Sequence, residues 1–201
     1  MERDRDATRA RLMEAAERLI VREGLVGCGV NAIAHEAGVD KVLIYRYFGG
    51  ATALLSEVIA SRGAWPRPNT VESSTGHGAG SCLAAKLVDQ ARDIRARPLA
   101  RRALAWEAAG HASADVSEAI GREPATARVV AELRSAHASL PSQLDLEAVT
   151  ALVAAGLVSL AVRGDAAVPF FGIDASNDAH WRRVEKAATM MLRTLLDPSD
   201  V

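Results

Sequence analysis

Aromatic residues are scarce, at 4% of 201 residues, and only two cysteines occur, Cys28 and Cys82. These stand 54 positions apart without a Cys or His companion at ligand spacing. Neither a disulfide framework nor a structural zinc site is indicated. Charge of one sign is also lacking: the formal net charge is -1, and residues 1–62 carry nine Lys/Arg against nine Asp/Glu. Bulk electrostatics therefore points to no partner, and any charged surface must come from local placement. No apolar run is long enough for a bilayer; the longest, Ala151 to Val162, is interrupted by Gly156 and Ser159. No apolar stretch follows the charged start Met1–Arg5, so neither a signal peptide nor a membrane partner is expected, and a cytoplasmic location is. Catalytic signatures are missing too: there is no HExxH, GxSxG, P-loop or strand-linked GxGxxG. The histidines, His35, His77, His111, His137 and His180, are scattered. Glu107 and His111 lie four apart on one helix face, which reads more readily as a local hydrogen bond than as a metal pair. No catalytic residue, metal, cofactor or enzymatic activity is expected.

What remains is alanine-rich and apolar at 49%, with few β-branched runs, so helix is the default. Leu12, Ala15, Ala16, Leu19 and Ile20 make one apolar stripe of a first helix over about Asp6–Glu23, ended by Gly24. A second helix is expected over Val30–Ala37, a turn at Gly38, and a third helix over Lys41–Tyr47. Asp40 stands at the N-cap, with its carboxylate in reach of the Leu43 amide. Gly49-Gly50 breaks the third helix, and Ala51–Arg62 forms a fourth. Pro66 to Gly80 is polar and glycine-rich, hence a linker. Further helices are expected at about Ser81–Ala96, Leu99–Ala109, Ala114–Gly121, Ala125–Ala138, Leu146–Val162 and Ala179–Leu196. Asp145 would cap the penultimate helix and one of Ser176 to Asp178 the last. No internal repeat is present.

The segment Ile33–Phe48 carries the chemistry. Two short helices joined by a glycine turn have the layout of a helix-turn-helix. Ile44 and Phe48 are four apart and face inward against Ile33 and Ala34, which leaves Lys41, Val42, Tyr45 and Arg46 outward. Lys41 is at the helix end that contacts base edges in such a motif. The hydroxyls of Tyr45 and Tyr47 suit phosphate oxygens, and the Val42 methyls suit a thymine methyl. Arg46 can clamp a phosphate or pair with a guanine edge, the latter worth roughly 1–3 kcal/mol of discrimination. By spacing alone, an ordinary helical hairpin with a solvated polar face fits as well.

Residues about 9 to 55 resemble the N-terminal domain of the TetR-type transcriptional repressors. The resemblance rests on Ala15-Ala16, Leu19-Ile20, Glu23, Gly24, Ile33-Ala34, Ala37-Gly38-Val39, Ile44-Tyr45, Tyr47-Phe48 and Leu54. It implies a homodimeric regulator that binds a double-stranded DNA operator and is released by a small apolar effector. It also makes Lys41, Val42, Tyr45 and Tyr47 the recognition-helix contacts. The chain departs from the family pattern at Cys28-Gly29, which replaces a pair of hydroxyl residues. It departs again at Val42, in place of a small residue, and at Ala51, in place of a lysine. A helical ligand sensor or interaction module with weak or lost DNA binding is the alternative.

The fold expected is all-α, of about nine to ten helices. It comprises a three-helix helix-turn-helix head over 1–62, a linker over 63–80 and a helical effector-binding and dimerisation domain over 81–201. The last two helices offer Leu152, Leu160, Trp181, Val184, Met191 and Leu195 for a four-helix dimer interface. An effector pocket would draw on Leu83, Leu87, Trp106, Val130, Leu133 and Leu157, lidded by Phe170 and Phe171. The cluster Arg92, Arg95, Arg97, Arg101 and Arg102 fits either an anionic ligand or a solvated face with Asp89 and Asp93 as partners.

Overall fold

A computed structural model describes residues 2–62, 78–110, 114–120, 122–137, 140, 144–164 and 168–197. The described residues form ten α-helices: α1 Glu2–Glu23, α2 Val30–Ala37, α3 Val42–Phe48, α4 Ala51–Arg62, α5 Ala79–Ala96, α6 Pro98–Ala108, α7 Ala114–Ile120, α8 Arg122–Ala136, α9 Leu146–Val162 and α10 Asp178–Leu196. A single 3₁₀ turn, Leu25–Gly27, follows α1. No β-strand occurs among the described residues, and the fold is all-α, as composition and periodicity imply. Most of the linker expected over 63–80 lies outside the described residues, as do His77 and His111.

Two compact units divide the chain, one of residues 1–65 and 97–121, the other of 66–96 and 122–201. In the first, the α1 stripe of Leu12, Ala15, Ala16, Leu19 and Ile20 is fully buried, together with Ile33, Ile44, Leu54 and Ile59. The sequence reading set residues 98–121 with the C-terminal domain, whereas α6 packs on α1 and α7 on α4. The reason is visible in α6: Leu99, Ala100, Ala103 and Leu104 form a narrow buried stripe with small residues that let another helix approach. Pro98 opens that helix at a position where a missing N–H is harmless.

In the second unit α5 is the central element, packed against α10, α9 and α8. Leu83, Ala84, Leu87, Val88, Ala91 and Ile94 are its buried residues. α5 begins at Ala79, earlier than Ser81, because its first amides find partners from far along the chain. The Asp197 carboxylate accepts from the N–H of Gly80 at 2.9 Å and of Ser81 at 3.2 Å. At Gly80 the backbones of α5 and α10 nearly touch, and a Cβ there would lie 2.4 Å from the Leu192 carbonyl oxygen. Asp145 caps α9, accepting from the Ala148 N–H at 2.9 Å, and Asn177 caps α10, accepting from the Ala179 N–H at 2.8 Å.

Two of the clustered arginines tie α5 to α10. Arg92 donates from Nε to Glu185 Oε1 at 2.6 Å and from Nη2 to Oε2 at 2.8 Å. Arg95 donates to the Ala175 and Ser176 carbonyls at 3.0 and 2.9 Å and to Asp178 Oδ1 at 2.7 Å, with its guanidinium 5.4 Å from the Trp181 ring centre. Glu185 is buried, yet the Arg92 hydrogen bonds hold its carboxyl below the usual range against the opposing effect of desolvation.

Two outcomes follow for stability. Gly80→Ala should destabilise the chain by about 1–3 kcal/mol, even though alanine is the better helix former by about 1 kcal/mol. Thermal unfolding followed by circular dichroism reads this as a lower Tm. Because the Glu185 pKa is lowered on folding, its stabilising effect is present above its unfolded value, about 4.3, and fades as pH falls through the folded one. Glu185→Gln should therefore be less stable than the parent at neutral pH, and the difference should shrink below about pH 4; a constant gap across pH would contradict it.

Candidate nucleic-acid interface

The turn between α2 and α3 is set by backbone chemistry. Gly38 takes the left-handed conformation, φ 64° and ψ 39°, that ends α2. Its N–H donates to the His35 carbonyl at 3.1 Å, and the Val39 N–H donates to the Ala34 carbonyl at 3.1 Å. Arg11 of α1 adds a third tie, donating from Nη2 to the Ala37 carbonyl at 2.8 Å. α3 starts one residue later than expected, with Lys41 at the N-cap. The Asp40 carboxylate consequently accepts from the Val42 N–H, at 2.8 Å, and the Leu43 N–H bonds the Asp40 backbone carbonyl instead, at 3.0 Å. This is an Asx turn leading into the helix rather than a side-chain cap on its third amide.

The inward side of α3 is Ile44, fully buried as are Ile33 and, nearly, Ala34. On the outward side Lys41 and Arg46 are exposed, Val42 is 60% exposed and Tyr45 57%. Spacings of three and four residues place these four on one face. Among the described residues none of the side chains of Lys41, Tyr45 and Arg46 has an intrachain hydrogen-bond or ion-pair partner. Tyr47 is half-buried, with the Arg5 guanidinium 5.9 Å from its ring centre. It is set apart from the exposed row, although its hydroxyl end keeps the polar handle that a tyrosine offers.

Sequence reasoning missed how α1 supports this face. Arg9 pairs with Glu57 of α4 and lies 4.9 Å from the centre of the Phe48 ring, so it braces the end of α3. Arg18 and Arg22 both donate to Glu36 of α2, at 3.0 and 3.1 Å. Those bonds, Arg18 first, hold Glu36 below the usual carboxylate range. The only signal available was that these arginines sit off the apolar stripe at helical spacing. At the start of α2 the expected loss of a hydroxyl cap is plain: Gly29 is the N-cap and makes no side-chain bond. Cys28 is buried, donates its thiol to the Gly24 carbonyl at 3.3 Å, and is pushed up to about 11 by burial. At that value the thiol stays protonated at neutral pH and is a packing residue.

The remaining site expectations fall in several places. Leu83, Leu87, Val130, Leu133 and Leu157 are all buried in the second unit, on α5, α8 and α9. Trp106 belongs to the other unit, because α6 packs on α1. Phe170 and Phe171 do not form a lid: Phe171 is 92% exposed, since the turn that carries it projects its ring into solvent. Of the expected interface residues, Leu152, Met191 and Leu195 are exposed, and Leu160 and Val184 are half-buried. Trp181 is not on that face. It is 3% exposed and packs inward beneath Arg95, as the face of α10 toward α5 requires. α9 and α10 enclose an apolar groove of about 450 Å³ lined by Leu152, Gly156, Leu160, Val184, Ala187 and Met191 among others. Among the described residues no group of three His, Cys, Asp or Glu side chains could hold a metal ion, and no single helix is long and apolar enough to cross a membrane.

Comparison with known proteins agrees with this geometry. The family model of the bacterial regulatory proteins, tetR family, matches residues 12–58, the span from α1 to α4. The HTH-type transcriptional repressor SCO4008 of Streptomyces coelicolor is 30% identical over 139 residues, a match that spans 66% of this chain and 66% of that repressor's length. Similar folds occur in a TetR family transcription regulator from Marinobacter aquaeolei VT8 (TM-score 0.61, 16% identity, 94% of this chain and 97% of that one). The fatty acid degradation regulator FadR from Bacillus halodurans is comparable (TM-score 0.62, 15% identity, 90% and 94% covered). NalD, described as the secondary repressor of the MexAB-OprM multidrug efflux pump in Pseudomonas aeruginosa, also shares the fold (TM-score 0.56, 17% identity, 92% and 96% covered). With a buried helix-turn-helix scaffold, an uncommitted polar row on its second helix and these likenesses, the chain belongs to the tetR family of bacterial regulatory proteins.

Proposed function

We propose that this protein is a homodimeric repressor that occupies a DNA operator and is released by a small, mainly apolar effector. The observation that carries the reading is the exposed row Lys41, Val42, Tyr45 and Arg46, whose polar groups are unspent within the chain while the helix beneath them is fixed. Such a row offers two cations, a hydroxyl and two methyl groups to one strip of a major groove. Tyr47 is assigned a phosphate contact at its edge. Two half-sites require two heads, and the α9–α10 groove with exposed Leu152, Met191 and Leu195 supplies an apolar surface for a second copy. Effector binding is assigned to the core around Leu83, Leu87, Val130, Leu133 and Leu157. On α9 the buried Thr150 hydroxyl has no hydrogen-bond partner among the described residues, an invitation to a ligand with one polar group.

Mobility shift with fragments flanking the gene, run across a salt series, tests the reading. Retardation that weakens steeply with salt is expected, because phosphate contacts release counterions. Absence of retardation even at low salt would instead favour a ligand sensor without DNA binding, in line with the bare Gly29 cap. Lys41→Ala combined with Tyr45→Phe should lower operator affinity by about tenfold or more and leave the sedimentation mass unchanged. Leu152→Glu should do the reverse first, halving the sedimentation mass, since it places a charge on the exposed apolar face.

A further inference from the structure

The connection between α9 and α10 carries an apolar knob. Val168, Phe170 and Phe171 are all exposed, and the segment is nonetheless built rather than loose. Phe170 and Ile173 exchange both backbone hydrogen bonds, each 2.9 Å, in an antiparallel bridge that closes a tight turn. The rings of Phe170 and Phe171 meet edge to face with centres 4.8 Å apart, and the Arg163 guanidinium lies 5.1 Å from the Phe170 ring centre. Within the turn Phe171 has φ 48°, the one positive φ at a non-glycine among the described residues. Holding a bulky side chain there costs of order 1–3 kcal/mol, and glycine would serve the turn better. The turn's own needs therefore do not explain the phenylalanine.

Ile173, which closes the turn, also lines the α9–α10 groove, so knob and groove form one continuous surface. Gly156, Ala187 and Ala188 make part of that groove small-sided, and its volume, about 450 Å³, exceeds what one aromatic ring needs. Arg183 is the only charged lining residue and has no intrachain partner among the described residues. An arginine so placed suits the face of an incoming ring, as Arg163 already does for Phe170. We propose that Phe171 of one protomer seats in the α9–α10 groove of a second copy, and reciprocally, so that each dimer contains two seated rings. The same chain supplies convex and concave parts, as a two-fold interface demands. A rigid aromatic in a pocket is also the usual anchor of such an interface. This assignment rests on the homodimer reading above and names its anchoring residue.

Two substitutions separate the knob from the dimer as such. Phe171→Gly removes the ring and relaxes the turn, so thermal stability of the monomer should hold or rise while the dimer dissociation constant increases about tenfold or more. Gly156→Leu fills the groove from within, and it should fold, because a Cβ at 156 meets no atom within 4 Å. It too should weaken the dimer. Mixing the variants is decisive. The Gly156→Leu protomer keeps a ring and the Phe171→Gly protomer keeps a groove, so only the heterodimer retains a seated ring. Native mass spectrometry should show heterodimers in excess of the statistical proportion. A statistical mixture, or an unchanged dissociation constant for Phe171→Gly, overturns the seating of Phe171 while leaving the dimer intact. A parent chain that sediments as a monomer would overturn the homodimer reading itself.

Discussion

The exposed face of α3 depends on how the backbone turns at Gly38. A Cβ at that position would meet nothing closer than the Arg11 Nη2, 3.5 Å away, which is an ordinary contact. Crowding is therefore not what calls for glycine. The φ of 64° is, since a residue with a side chain costs roughly 1–2 kcal/mol in the left-handed region. Arg11 then closes the end of α2 from outside by bonding the Ala37 carbonyl. Ile44, fully buried where α3 packs on α4, fixes the rotation of α3 about its own axis. Turn and anchor together determine that Lys41, Val42, Tyr45 and Arg46 point one way, and a slip of one residue would turn them about 100° around the helix.

Charge in the head is used in two distinct ways, which explains why its sum is uninformative. The α1 arginines Arg9, Arg11, Arg18 and Arg22 are spent on Glu57, the Ala37 carbonyl and Glu36. They hold helices together and offset Glu57 and Glu36. Lys41 and Arg46 have no such partner among the described residues. Exposed pairs of this kind contribute little to stability one by one, about 0–1 kcal/mol. Their effect is positional: Glu36 draws α1 and α2 together from two points.

Helix positions, the Asp145 cap and the burial of Ile44 were legible because each depends on local spacing, whereas Phe48, also expected inward, is only half-buried with Arg9 over its ring. The two faces of α10 were not legible. One stripe, Trp181, Glu185, Ala188 and Leu192, is buried, with Ala188 at the edge of the groove, while of its neighbour stripe Val184, Ala187 and Met191 line the groove and Leu195 is exposed. Hydrophobicity alone prefers the second stripe for the core, since the first contains a glutamate. Arg92, 93 positions earlier, reverses that preference by giving Glu185 a two-point partner. A long-range ion pair leaves no periodic trace, so Trp181 was assigned to the wrong side. Trp106 was misplaced for a related reason: its helix was read with the segment that precedes it, although its small-residue stripe is met by α1.

α5 is pinned to α10 near both ends, by the Asp197 carboxylate on its first amides and by Arg92 and Arg95 toward its last turn. Close approach at Gly80 leaves no slack between these two helices. Leu83 and Leu87 lie between the pins and face the core to which an effector is assigned. A ligand that enlarges this core therefore meets little compliance along α5–α10. The other boundary carries the Lys86–Glu132 pair between α5 and α8 and the exposed Arg134–Glu147 pair between α8 and α9. Displacement of α9 would in turn reshape the groove that Gly156 and Leu160 share with α10. On the proposed reading, effector occupancy and dimer geometry would be coupled through α9, with α10 as the fixed reference.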